Sequence, residues 1–308
     1  MAFPQGARRH AARHAKIPQM EPRDAGEMLA KIRSLPAAGP LLERLGDHPG
    51  VYLVGGAVRD LLIGTEPKEL DLVVEGDASE FANQLDVRPR VHDRFGTSTA
   101  FVNGFTYDIA QARRESYERP GALPQVTPAT VDEDLRRRDF TVNAMAIALT
   151  GRNAGELHKA EHAREDLDAR LLRVLHDRSF IDDPTRLLRL VRYAARLGFK
   201  PEPHTNELLE AAVATGALTT VSGSRIGAEL RLLAGEDDPI AGFGCLREHR
   251  LDQAIAEGFG LADPALAAAA LSLAPADSRR DLIVLAAASR HTPRLSRPPP
   301  PRIGWPPH

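Results

Sequence analysis

The sequence predicts an α+β fold, with a small mixed sheet flanked by helices in its first half and an all-α remainder. Two observations carry that assignment. Between Val51 and about Leu149, short β-branched runs at 51–54, 69–74, 98–102, 105–110 and 142–149 alternate with stretches of helical spacing. From about Gly151 onward, nearly every segment has helical periodicity. A third observation gives the sheet a chemical role: Glu69 and Asp71 stand one residue apart in the run EPKELDLVVEG. On a strand, residues i and i+2 project from the same face, so both carboxylates address one spot. Two anions inside an apolar run are unfavourable unless a cation sits between them, and a hard, oxygen-liganded ion such as Mg²⁺ suits them better than zinc. An edge strand with one solvent-facing acidic row is the plain alternative.

The elements follow in order. Residues 1–23 are rich in Arg, His, Pro and Gln, lack periodicity, and read as a disordered basic N-terminus without an apolar signal core. Helical patterns run from Asp24 to Leu35 and from Gly39 to Leu45. VYLVGGAVRDLLIG then reads strand, glycine turn and helix, ending at Gly64 as a left-handed C-terminal residue. Gly55-Gly56 lets the backbone approach a phosphate closely, the helix start offers unpaired N–H groups, and Arg59 can add a charged fork to the same anion. In FTYDIAQAR, Phe105, Tyr107 and Ile109 have strand spacing, and Asp108 faces the other way. The Pro-, Gly- and Thr-rich stretch from Arg114 to Asp134 reads as a long mobile loop. In the block that follows, Arg138 and Asn143 share a face only if a turn intervenes. Around Asp182 a helix starts with an acidic cap and Pro184 and runs to Gly198, carrying Asp183, Arg186 and Arg189 at intervals of three. The last eighteen residues are Pro-rich and read as a disordered tail.

Composition narrows the function classes. Forty Lys+Arg against 42 Asp+Glu give a formal charge of −2 over 308 residues, so no global basicity advertises nucleic acid. The basic residues are nearly all arginines, however, and they cluster at 113–114, 136–138 and 186–196, as a phosphate-binding groove requires. Cys245 is the only cysteine, which excludes an internal disulfide and a cysteine-based zinc cage. No apolar run reaches membrane-spanning length. His158, Glu161 and His162 match an H-x-x-E-H zinc pattern, but no segment offers the distal acidic ligand such a site needs. These features suit a protein of the cytoplasm.

Taken together, LVGGAVRDLLIG with ELDLVVEGD, RRRDFTVNAMAI (Arg136 to Ile147) and DDPTRLLRLVRYAARLGF (Asp182 to Phe199) resemble the class II tRNA nucleotidyltransferases (CCA-adding enzymes) and bacterial poly(A) polymerases of the polymerase-β-like superfamily. A weaker block, VSGSRIGAELRLL, extends the resemblance to cover residues 50–235. It implies a nucleotidyltransferase head over 24–150, a helical neck over 151–235 with a base-selecting helix, and a short helical body over 236–290 before the tail at 291–308. It further implies that Glu69, Asp71 and Asp108 form a catalytic metal triad for Mg²⁺. Gly55, Gly56, Arg59, Arg138, Asp139 and Asn143 would contact nucleotide phosphate and ribose, while Asp183, Arg186 and Arg189 would select CTP and ATP. The implied reaction is template-independent extension of the tRNA 3′ end with C and A. Poly(A) synthesis and CC-only or A-only addition are the neighbouring readings, and an RNA-binding pseudoenzyme is the alternative from another class. Three departures from the family pattern stand out: Glu69 where Asp is usual, Asp182 where Glu is usual, and Ser224 in place of an acid.

Overall fold

The computed structural model describes residues 25–293, apart from 47, 87–88, 93–95 and 276, so the expected N-terminal disorder and most of the Pro-rich tail lie outside the described residues. The chain forms two compact units, one comprising residues up to Arg114 plus Thr127–Ala169, the other Glu115–Val126 plus the chain from Arg170.

The first unit opens with helices α1 (Ala25–Arg33) and α2 (Ala38–Leu45), followed by β1 (Val51–Val54), α3 (Gly56–Ile63) and β2 (Leu70–Val74). Gly64 closes α3 in the left-handed conformation at φ 82°, as its sequence position predicts. Next come α4 (Ala78–Leu85), β3 (Arg90–His92), β4 (Thr97–Val102) and β5 (Phe105–Gln111). Asp77 caps α4, its side chain accepting from the Ser79 and Glu80 N–H groups.

The stretch read as a mobile loop is ordered instead. Strands β6 (Arg113–Ser116) and β7 (Gln125–Pro128) pair as a ribbon, and α5 (Val131–Arg136) follows with a complete capping box between Thr130 and Glu133. After a 3₁₀ turn at Thr141–Asn143 come β8 (Met145–Ala148), β9 (Leu157–Lys159) and α6 (Ala163–Ala169). Seven strands form one sheet in the order β3-β4-β5-β2-β1-β8-β9. It is mixed: β2 and β5 run parallel, the other pairs antiparallel. One edge is formed by β9, so the expected boundary at residue 150 falls inside this unit. The buried Asp166 of α6 also belongs here, accepting a 2.8 Å hydrogen bond from Thr141 Oγ1.

The second unit is helical, as expected. A two-residue strand β10 (Leu171–Leu172) precedes α7 (Ser179–Asp182) and α8 (Thr185–Leu197). After β11 (Lys200–Pro201) come α9 (Pro203–Ala214), α10 (Gly223–Ala234), α11 (Pro239–Glu248), α12 (Leu251–Ile255), α13 (Pro264–Leu273) and α14 (Arg280–Ala288). Of the stripe that its spacing predicts (Leu187, Leu188, Val191, Ala195 and Leu197), helix α8 buries the first three, leaves Ala195 and Leu197 half-buried and buries Leu190 in addition; it ends at Gly198 with φ 67°.

Candidate functional site

In the first unit, the pleat aims a defined set of side chains at one sheet face. Asp71 of β2 is the direct parallel partner of Asp108 of β5, and Asp108 is opposite Thr99 of β4. One period away on that face, Val73 is beside Ala110, which is beside Thr97. Together with Val54 and Arg138 these residues line a cavity of about 460 Å³. Thr99 Oγ1 donates to Asp108 Oδ1 at 2.8 Å. Burial, together with the negative charges of Glu69 and Asp108, pushes the Asp71 carboxyl up to about 6, and Arg138 offsets only part of that. Glu69 is exposed, one residue ahead of β2.

The donor set fits a magnesium ion. The excess of negative charge that raises Asp71 is what a divalent cation would neutralise. Among the described residues no three acidic, histidine or cysteine side chains are gathered tightly enough to form a cage by themselves. Mg²⁺ characteristically takes only one or two carboxylates and completes its shell with water and substrate phosphates, so an incomplete protein cage is compatible with it. The H-x-x-E-H residues have other settings: His158 is in β9, bonded to Asp132, and His162 occupies an exposed turn with φ 61°.

The glycine turn beside this face is built on backbone that L-residues rarely adopt. Gly55 has φ 67° and ψ −128°, and its N–H donates to the Met145 carbonyl at 3.0 Å. A Cβ there would stand 3.0 Å from Arg138 Nη1 and 3.9 Å from the Asn143 carbonyl oxygen. The 3₁₀ turn at Thr141–Asn143 therefore supplies the bend between Arg138 and Asn143 that the sequence left open, and both residues flank Gly55. Gly56 follows as the first residue of α3. We expect G55A to lose about 1–3 kcal/mol of stability through backbone strain and to displace Arg138. Chemical denaturation and the KM for nucleotide would register the two effects; an unchanged denaturation midpoint would contradict the strain.

Arg138 is held in place from behind. Its Nε and Nη2 donate to Asp134 Oδ2 at 3.2 and 2.9 Å, while Arg137 grips Oδ1 through Nε and Nη2 at 2.9 and 2.6 Å. Asp134 has no exposed surface. Its burial favours the neutral acid, but the two guanidiniums outweigh that and hold the carboxyl below its usual range.

Arg59 differs from the sequence expectation. Rather than forming an open fork for an anion, it is 2% exposed and absent from the cavity wall. Its Nε and Nη2 donate to Asp60 Oδ1 at 2.9 and 2.7 Å, and its Nη1 donates to Asn143 Oδ1 at 2.6 Å. Asn143 Nδ2 in turn donates to Asp139 Oδ1 at 3.1 Å, and that oxygen also accepts the Phe140 N–H at 2.8 Å. Arg59, Asp139 and Asn143 are thus buried links that tie α3 to the turn before β8, not surface contacts. An arginine in a helix interior is ordinarily solvated, and the sequence carries no local signal of this partner 84 residues away.

In the second unit, Asp183 stands at the start of α8 and its Oδ1 accepts from the Thr185 N–H at 3.1 Å, Thr185 Oγ1 at 2.6 Å and Arg225 Nη2 at 2.8 Å. Arg225 Nη1 donates to the Gly121 carbonyl at 2.8 Å. Arg186 is 5% exposed, and its Nη1 donates to Ser179 Oγ at 2.6 Å. Arg189 donates to the Tyr193 hydroxyl at 3.1 Å and stands 3.6 Å from Glu229. Sequence reasoning did not single out Thr99, Asp134, Ser179 or Arg225. Only Arg225 had a signal, within the weaker block VSGSRIGAELRLL.

A mixed sheet with two register-paired carboxylates beside a glycine turn and a fixed arginine defines a nucleotidyltransferase head. A family model for the poly(A) polymerase head domain matches residues 51–173. An A-adding tRNA nucleotidyltransferase of Halalkalibacterium halodurans is 44% identical over 227 residues, covering 70% of this chain and 53% of that protein. A CC-adding tRNA nucleotidyltransferase of Deinococcus radiodurans is 41% identical over 204 residues, covering 65% and 54%. A solved CCA-adding enzyme in an apo form superposes with a TM-score of 0.75 at 34% identity, covering 87% of this chain and 67% of that one. The chain belongs to the class II tRNA nucleotidyltransferases. It spans about half the length of these two curated relatives.

Proposed function

We propose that this protein extends the 3′ end of tRNA without a template, adding C and A from CTP and ATP in the presence of Mg²⁺. The reading rests above all on the register pairing of Asp71 with Asp108 on one sheet face beside the Gly55 turn. Asp71 and Asp108 would hold the ion, with Glu69, which the structure does not gather with them into a three-carboxylate cage, adding negative charge nearby. When bound, the ion stabilises the attacked phosphate, activates the RNA hydroxyl and neutralises the leaving pyrophosphate. The protein's own contribution is positional. Gly55 and Gly56 present backbone to the triphosphate, and Arg138, braced by Asp134, contributes its charge at the same turn. Asp139 and Asn143 keep that turn rigid. Asp183 and Arg189 would discriminate between bases by offering acceptor and donor atoms to the Watson–Crick edge, while Arg186, buried and bonded to Ser179 Oγ, would support the start of α8. A tRNA substrate would be met in the cytoplasm. No helix among the described residues is long and apolar enough to cross a membrane.

The similarity to an A-adding enzyme supports a second reading, addition of the terminal A alone. One experiment separates the two: the protein is incubated with tRNA lacking CCA, or with tRNA ending in CC, and with labelled CTP, ATP or both. CCA addition labels both substrates, whereas A addition labels only the CC-ended tRNA, and only from ATP. Long A tails would favour poly(A) synthesis. Incorporation that proceeds equally without RNA, or none at all, would sink the proposal.

A further inference from the structure

Strand β4 presents Thr99 directly opposite Asp108, and the threonine hydroxyl donates to Asp108 Oδ1 at 2.8 Å. The side-chain torsion that sets the plane of an aspartate is soft, and nothing in the strand backbone fixes it. A hydrogen bond to one oxygen supplies that missing constraint. The plane is then defined by the Cβ–Cγ bond and the threonine contact together, and Oδ2 is the oxygen left for an ion. Thr99 is itself restrained, because a β-branched side chain on a strand has few rotamers. Thr99 and Asp108 both line the cavity that also holds Asp71, so the constraint acts at the proposed reaction face.

We propose that Thr99 is a positioning residue: its hydroxyl orients the Asp108 carboxylate for the divalent ion shared with Asp71. This inference rests on the metal-dependent reading of the site given above. A purely structural threonine–aspartate pair would contribute modestly to sheet stability and nothing to ion binding. Groups that orient a metal ligand from behind characteristically change affinity or activity about 10- to 100-fold when removed.

T99V keeps the β-branched shape and deletes the hydroxyl, whereas T99S keeps the hydroxyl and deletes the methyl. The full chain would be titrated with Mn²⁺ in the presence of a non-hydrolysable ATP analogue, with bound ion followed by electron paramagnetic resonance and turnover on CC-ended tRNA measured in parallel. T99V is expected to bind Mn²⁺ roughly tenfold more weakly and to lower kcat more than the KM for tRNA, at an unfolding midpoint close to that of the parent. T99S is expected to restore most of the affinity. Unchanged Mn²⁺ binding in T99V, or equal impairment in T99S, would overturn the positioning role while leaving the site reading intact. If the parent protein itself binds no Mn²⁺, the site reading fails and the role of Thr99 fails with it.

Discussion

D71N is expected to abolish nucleotide addition and, at neutral pH, to make the ligand-free protein more stable. Asp71 has its carboxyl pushed from 3.8 to about 6, first by burial and then by the charges of Glu69 and Asp108. A folded-state value above the unfolded one means that the folded protein holds its proton more tightly. The associated stabilisation is fully present below about pH 4 and is lost as pH rises through about 6. At pH 7–8 the folded protein therefore carries an ionised, crowded carboxylate that the uncharged amide removes, a difference of about 3 kcal/mol for a rise from 3.8 to about 6. Thermal unfolding without divalent ions should show D71N melting several degrees above the parent at pH 7.5, with the gap closing at pH 4.5. Turnover should fall at least a hundredfold, since loss of a direct ligand exceeds the roughly 10- to 100-fold effect of groups behind one. The same sign governs ion affinity, because the ion competes with a proton for Asp71 and should bind more tightly as pH rises through about 6. A D71N protein that melts lower than the parent at pH 7.5 would refute the electrostatic account of this corner.

The sheet face of the candidate site was legible because its signals are local. The runs VYLVGG and ELDLVV carry strand periodicity and turn chemistry within a dozen residues, and the alternation in FTYDIAQAR places Asp108 on the face opposite the buried Tyr107 and Ile109. The ribbon of β6 and β7 was not legible: RRES and QVTP have no buried stripe, since a two-stranded ribbon can leave both faces half-exposed. Helix α5 was missed for another reason. Its capping box, Thr130 with Glu133, is written in the sequence, but six residues are too few to show a helical period beside the Pro-rich segment before them. The placement of β9 and α6 depends on long-range pairing, Ala146 with His158 and Thr141 with Asp166, which no local window contains. Charge misled in the same way at two positions. Asp134 read as the polar end of a loop and is the fully buried brace for Arg137 and Arg138. Arg59 read as an open phosphate fork and is a link in a buried chain.

That difference at Arg59 makes a measurable contrast, because an open anion fork and a buried link fail differently when removed. As a fork, Arg59 could be replaced by methionine with an ordinary unfolding midpoint and only weaker nucleotide binding. As a buried link, its loss removes two hydrogen bonds from the Asp60 carboxylate and one from the Asn143 amide oxygen, each in a nearly dry setting. Breaking a buried ion pair from one side is destabilising by about 3–5 kcal/mol, because the remaining charge is left uncompensated. R59M is therefore expected to lower the denaturation midpoint by a large fraction of a typical domain's total stability. Lysine should rescue it poorly, since one ammonium cannot reproduce the planar fork that reaches Asp60 and Asn143 at once. The double variant R59M/D60N should recover part of the loss by removing the Asp60 charge, a coupling that a solvent-exposed arginine would not show. The function of the site depends on the same chain: Asn143 is held between Arg59 and Asp139, and its carbonyl flanks Gly55. In R59M protein that remains folded, the turn should loosen and nucleotide affinity should fall along with stability. Wild-type stability with weakened nucleotide binding alone would return Arg59 to the role of a direct anion ligand.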